Sequence, residues 1–393
     1  MDRVAHGHGH RPWDASGSID RALWLVVGAW ALATLVGVVA LWPGAAEPVS
    51  DLAAERRVEA EVIAVVRQPC TGTQPSDGVE CRVVTVRITS GPTEGDPATL
   101  ELGVNESKAR TQQVDDDLIL NVQELADGTI AYTFADYERR TSMLVLTALF
   151  IGAVVLLGRW RGVGALAGLA VSVVVLVSFV LPALLDGSNP VSVALVGASV
   201  IAFASLYLAH GFNTSTNVAL ISTLASLATT GVLAWIFVHT ATLTGLADES
   251  SLFLEALGVT IDPRGLLLAG VVIGSLGVLD DVTVTQVSAV GELRRADPGA
   301  STRELARSAL TIGRDHVSST VNTLFLAYAG AALPLLLLFT QIRQGIGDVV
   351  VREQVAVEVV RTLVGSIGLV AAVPISTWLA ALVSRPPSDA LSG

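Results

Sequence analysis

The sequence predicts an α-helical polytopic membrane protein of about eight transmembrane helices. A small extracytoplasmic β-barrel-like domain, OB-like in plan, is inserted between the first and second spans. Three observations lead there. Of 393 residues, 51% are hydrophobic and only 15% charged, and the mean hydropathy is +0.61. A soluble fold must coat itself in polar groups and cannot hide that much apolar surface. The apolar residues also gather into runs of membrane-crossing length, and the one long polar stretch alternates like β-strands.

Taken in order, residues 1–21 form a polar cytoplasmic tail, expected to be disordered, in which His6, His8 and His10 alternate with glycine and valine-alanine sequence precedes them. It does not read as a cleaved signal peptide, because Trp42-Pro43-Gly44 lacks a small-x-small cleavage site. Candidate spans follow at 22–41, 142–158, 162–185, 190–209, 217–239, 264–291, 320–340 and 359–383, each near the roughly 20 residues needed to cross the hydrocarbon core. The second is short and the sixth long, with glycines that suggest an interruption. Residues 384–393 complete the chain as a second cytoplasmic tail.

Orientation follows the arginines. Arg159 and Arg161 follow the second span; Arg294, Arg295, Arg303, Arg307 and Arg314 follow the sixth; Arg385 follows the eighth. Setting these in the cytoplasm places both termini inside a plasma membrane, as an even number of spans requires. Segment 42–141, with 18 acidic and 9 basic residues, is then outside.

That outer segment reads as five short strands: Val58–Val66, Val79–Thr89, Thr99–Leu102, Asp117–Val122 and Thr129–Tyr137, separated by turn-rich sequence such as Gly91-Pro92-Thr93-Glu94-Gly95. It holds no histidine and no clustered nucleophile, so partner binding, gating or a passive cap are its expected roles. Cys70 and Cys81 lie within it, in a compartment where disulfides persist, and are expected to bridge a hairpin. Two further outer loops, 248–258 and 341–358, mix apolar and charged positions at helical spacing and suit surface helices in the interface.

The candidate chemistry is intramembrane polarity, which is costly in lipid and therefore a functional signal. The sixth span carries Asp280 and Asp281 with Thr283, Thr285 and Gln286. Steps of three and four place Gly270, Gly274, Gly277, Asp281, Thr285 and Ser288 on one face. The glycines would admit a neighbouring helix or a second copy closely, so Asp281 is expected in the packed interior and Asp280 on a second wall. Two buried carboxylates are tolerable in three ways: one is protonated, a mono- or divalent cation binds between them, or the helix breaks at Gly274 and Gly277 to line a wet cavity. The plain alternative is static pairing with Arg264, Arg294 or Arg314. Span seven opens with Gly313-Arg314-Asp315-His316 and carries Asn322 and Thr323 in its apolar run; span five opens similarly at His210-Gly211-Phe212-Asn213. Capping and interhelical hydrogen bonds account for these as well as a binding site does. In the basic loop 292–317, Ser301 and Glu304 form a capping-box pattern opening a short helix to about Ile312.

At these residues the chain resembles the YibE/F family of bacterial membrane proteins. Gly274-Ser275-Leu276-Gly277 through Asp280-Asp281 to Thr283 is similar to the family's glycine-rich run ending in an aspartate. The stretch from Gly313-Arg314-Asp315 through Asn322-Thr323-Leu324 to Ala327-Tyr328-Ala329-Gly330 is the more specific match. The family pattern has one aspartate where this chain has two. The resemblance implies a multi-pass, transporter-like envelope protein of unsettled substrate.

Two functions are compatible with this reading. One is a secondary transporter or channel for a small solute or ion, with the aspartate pair as a proton- or cation-linked site. The other is a non-transporting envelope protein whose outer domain binds a partner or senses stress, with the bundle as anchor and homo-oligomer. The net charge of −12 argues against nucleic acid. A Gly-x-x-x-x-Gly-Lys loop, a metal-ligand helix pair and a Ser/His/Asp set are all missing, so neither an enzyme nor a bound cofactor is expected, beyond a proton or cation.

Overall fold

The computed structural model describes residues 17–44, 56–69, 80–102, 112–125, 128–247, 253–254, 261–341 and 345–384. The first sixteen residues, Cys70, most of the 248–258 loop and the tail from residue 385 lie outside the described residues. The chain divides into two compact units. One is Glu47–Ala153 and the other joins Met1–Ala46 to Val154–Gly393.

The smaller unit is a curled antiparallel sheet: β1 (Arg56–Pro69), β2 (Glu80–Ile88), β3 (Pro97–Leu102), β4 (Asp117–Glu124) and β5 (Ile130–Tyr137), in the order β3-β2-β1-β4-β5. All five predicted strands are present, and β1 is longer than its alternation suggested. Val58, Ala60 and Val62 face inward against Val84, Val86, Leu118 and Leu120, as a period of two requires for a half-buried strand. Register shifts between Val62 and Ala64 and between Ile119 and Leu120 bend the sheet, and its free edges, β3 and β5, approach each other. Cys81 is buried on β2 opposite Gln68 and is not a free cysteine.

The larger unit is helical. Its elements are α1 (Gly17–Ala40), the later part of α2 (Arg140–Val175), a π turn (Leu176–Val180) running into α3 (Leu181–Leu185), α4 (Pro190–His210), α5 (Thr214–Thr240), α6 (Pro263–Ala296), α7 (Thr302–Ala331), α8 (Leu333–Gln341), α9 (Ile346–Val350) and α10 (Glu353–Val383). Among the described residues, six stretches are long and apolar enough to cross a membrane, and a seventh if α7 and α8 count as one bent span. The core is built by α4, α5, α6 and α10 around residues such as Leu206, Leu220, Leu279 and Leu369. α1 is fastened to it by Gly37 against Val196 and by the Thr214 hydroxyl donating to Asp20 at 2.7 Å.

Arg159, at φ 51°, interrupts α2 where the sequence separates its second and third spans. Gly162 beyond it packs on the carbonyl of Val154. Eight residues of straight helix would hold those positions about 12 Å apart, so the chain reverses there.

Two expectations are corrected. The sixth span is not interrupted: α6 is one unbroken helix of 34 residues. A helical glycine costs only about 1 kcal/mol, and the buried side chains of Ser275, Leu276, Leu279 and Val282 hold the helix through the glycine region. The bend falls in the seventh span instead. α7 and α8 meet at 63°, because Pro334 cannot donate to the Gly330 carbonyl and its ring crowds the preceding turn. The capping box at Ser301 and Glu304 is present, but the helix it starts does not stop near Ile312; it continues to Ala331. Of the 341–358 loop, the described part holds the short helix α9 and the early start of α10 at Glu353.

Candidate functional site

The aspartate pair sits halfway along α6, and the structure reverses the roles expected for its two members. Gly270, Gly274, Gly277, Asp281, Thr285 and Ser288 do share a face, and all six are exposed. The face in the core carries Leu268, Val272, Ser275, Leu279, Val282, Gln286 and Val290. Helical spacing groups residues onto faces without saying which face is buried, and the more apolar stripe won the interior. Asp281 is therefore the outward carboxylate, its side chain 70% exposed. Asp280 turns toward α4, where the Ser205 hydroxyl donates to its Oδ2 at 3.1 Å while its buried Oδ1 has no hydrogen-bond partner.

Opposite Asp281 on α7 stands His316, with Nε2 3.9 Å from Oδ2 of Asp281. That nitrogen is buried and has no hydrogen-bond partner. Static pairing with the arginines is not seen among the described residues: Arg264 Nε donates to the Leu243 carbonyl at 2.9 Å, and buried Arg294 donates to the Ala300 carbonyl at 2.6 Å. No described cluster of three His, Cys, Asp or Glu could hold a metal ion.

The remaining predicted site residues divide. Thr283 is buried beside the pair, its hydroxyl 2.6 Å from that of Thr223 and 3.1 Å from the Asp280 carbonyl. Gln286 is a clamp between helices: its amide donates to the Ala309 carbonyl at 3.0 Å and fills the space above Gly313. Thr285 shares the exposed face of Asp281. Asn322 and Thr323 are exposed on α7, and the Thr323 hydroxyl donates to the Ser319 carbonyl. Because α6 and α7 run antiparallel, with Asp281 near His316 and Gly274 near Tyr328, these two lie level with Gly274–Gly277 and not with the aspartates.

Among the described residues of this chain, a Cβ at Gly270 or Gly277 would meet nothing within 4 Å, and one at Gly274 would meet only the Tyr328 hydroxyl on α7. The close contact belongs to Gly164 and Gly168 on α2, which lie against the backbone of Leu208 and Ser205 on α4. This Gly-x-x-x-Gly pair was the available sequence signal, and it seats Ser205 for its bond to Asp280. His316 and Ser205 are thus site residues that the spacing of α6 alone did not reveal.

Around the pair, α5 supplies a buried polar line of Thr216, Asn217, Ser222, Thr223, Ser226 and Thr230. The Tyr207 hydroxyl donates to Asn217 Oδ1 at 2.6 Å. The Asn217 amide nitrogen and the Thr216, Ser226 and Thr377 hydroxyls are buried without partners.

A family model described as YibE/F-like protein matches residues 146–386, a region that includes Asp280, Asp281 and His316. No curated protein and no solved structure matches the chain.

Proposed function

We propose, on the premise that this chain belongs to the YibE/F-like family, that it is a secondary transporter or channel of the bacterial plasma membrane. Its proton- or cation-linked site comprises Asp280, Asp281 and His316, with Ser205 and Thr283 as positioning residues. The observation that carries this reading is the approach of Asp281 to His316 at 3.9 Å, midway along helices of membrane-crossing character. A carboxylate there costs about 2.5–3.5 kcal/mol in lipid. A proton shared with, or passed to, an imidazole reduces that cost, and with α6 unbroken the movement that exposes the site to each side falls to the bend between α7 and α8.

The topology proposed with it has eight spans, both termini cytoplasmic and the sheet outside. Splitting α2 at Arg159 and counting α7 with α8 as one bent span supports that number. The β3-β2-β1-β4-β5 order with approaching free edges supports an OB-like barrel, and the buried, non-free Cys81 supports a bridge to Cys70.

The test is flux. Purified protein in proteoliposomes carrying a pH dye and an imposed proton or cation gradient should dissipate it, and Asp281→Asn should remove that activity while its melting curve stays two-state. Equal flux in wild type and Asp281→Asn would sink the proposal. The compactness of Glu47–Ala153 as a separate unit favours the second reading, a partner-binding or stress-sensing outer domain on a non-transporting bundle. In that case deletion of residues 44–140 removes the cellular phenotype and Asp281→Asn does not.

A further inference from the structure

We propose that the polar cavity at the end of the bundle where α4 stops and α5 starts is a binding site for a phosphoryl anion. The cavity has a volume of about 470 Å³, and its polar lining includes Arg161, His210, Ser215, Thr216, Ser288 and Arg295, with one carboxylate, Glu292. Its lining on α6 runs from Val284, about one turn beyond Asp281, to Arg295, about four turns beyond it, and neither aspartate is part of it.

Each wall contributes a donor for a stated reason. The Gly164 and Gly168 contacts lock the second limb of α2 against α4, which carries Arg161 to the cavity rim beside His210. Arg161 has no ion-pair partner among the described residues. α5 is a 27-residue helix whose Asn213 side chain caps Thr216 N at 2.9 Å. The amides of Thr214 and Ser215 in its first turn have no intrahelical acceptor, as at every helix start, and the positive end of the helix dipole points the same way.

Thr216 supplies the independent sign of a ligand. It is 2% exposed, it lines the cavity, and its hydroxyl has no hydrogen-bond partner. A buried hydroxyl left without a partner destabilises the fold, and an anionic oxygen accepting from it would remove that cost. Arg295 is held by Glu292 at 2.7 Å and the Asp20 carboxylate already stands at the α5 start on Thr214, so the uncompensated charge is that of Arg161. Donors arrive from α2, α5 and α6, three directions at once. A tetrahedral phosphoryl group, with oxygens pointing several ways, satisfies them better than a planar carboxylate. Leu206, Ala219, Val284 and Val287 form the apolar part of the lining. Two sources share this chemistry: free phosphate or a phosphate ester, and the headgroup of an anionic lipid. The site does not rest on the transport reading, since it binds whether or not anything crosses.

The full chain, reconstituted in phosphatidylcholine nanodiscs, should bind inorganic phosphate saturably in calorimetry. Affinity should fall at least tenfold in Arg161→Gln and in Thr216→Val, and stay near wild type in Arg161→Lys and in Arg303→Gln, which lies outside the cavity. Melting curves of all variants in the same discs establish folding. If phosphate does not bind, the second arm decides. Phosphatidylglycerol that co-purifies with wild type and is lost from Arg161→Gln identifies the headgroup as the source and upholds the site. Absence of both ligands, or binding unchanged in Arg161→Gln, overturns it.

Discussion

Nε2 of His316 and Oδ2 of Asp281 face each other across 3.9 Å, on two helices joined by a five-residue turn (297–301). An imidazole placed this close to a carboxylate can exchange a proton with it. His316→Gln is expected to lower flux while leaving folding intact. Flux assayed in proteoliposomes checks this; unchanged flux would remove His316 from the site.

Ser205 and Gly168 give a second prediction, concerning position and not charge. A Cβ on Gly168 would meet the Ser205 Cα at 3.0 Å, so Gly168→Leu should overpack the α2–α4 contact by about 1–3 kcal/mol and displace the donor to Asp280. Gly277→Ala, in open space, should leave the monomer's stability within about 0.5 kcal/mol of wild type. Thermal unfolding of both variants in one detergent makes the comparison.

The glycine face of α6 gives a third. Because a Cβ at Gly270 or Gly277 would meet nothing within 4 Å among the described residues, a homo-oligomer using that face predicts that Gly277→Leu shifts the assembly toward monomer without lowering the monomer's melting temperature. Mass photometry in nanodiscs reads the assembly state. An unaltered mass distribution places any assembly on another face.

For the sheet, the bridge between Cys70 and Cys81 should appear as a linked peptide in non-reducing mass spectrometry. Cys81→Ser should destabilise the outer unit by about 2–3 kcal/mol, as expected for closing a loop of about a dozen residues. Leu118→Ala, at a fully buried position, should cost about 2–5 kcal/mol. Hydrogen exchange of β1 and β4 peptides in the intact protein measures both.

Much of this architecture was legible in the residues, and the failures have physical causes. Strand alternation at Val58-Glu59-Ala60-Glu61-Val62 specifies both an element and its buried face, because one side is charged. The α6 stripe specifies a face but not its direction: Gly, Asp, Thr and Ser stand out in an apolar helix, and prominence is not burial. Glycine was read as a breaker at 274 and 277, yet proline at 334 broke the ladder, within a leucine-rich run whose hydropathy concealed it. Gly164 and Gly168, which do bring two backbones together, stood in a span with no charged residue to draw attention. Ser205 could not be assigned from sequence at all, since its role depends on a contact between positions 75 residues apart.

The unbroken course of α6 bears on kinetics. Thirty-four residues extend about 51 Å, well beyond a hydrocarbon layer of about 30 Å. Unless strongly tilted, its final turns stand in the aqueous boundary, and Glu292 and Arg295 are on those turns. A solute could therefore be captured at the phosphoryl site by diffusion alone, before any rearrangement of the bundle. Saturation and turnover would then be governed by different parts of one helix: half-maximal concentration by the rim near Arg161, and maximal rate by events near Asp281. Substitutions at the two places would move KM and kcat separately.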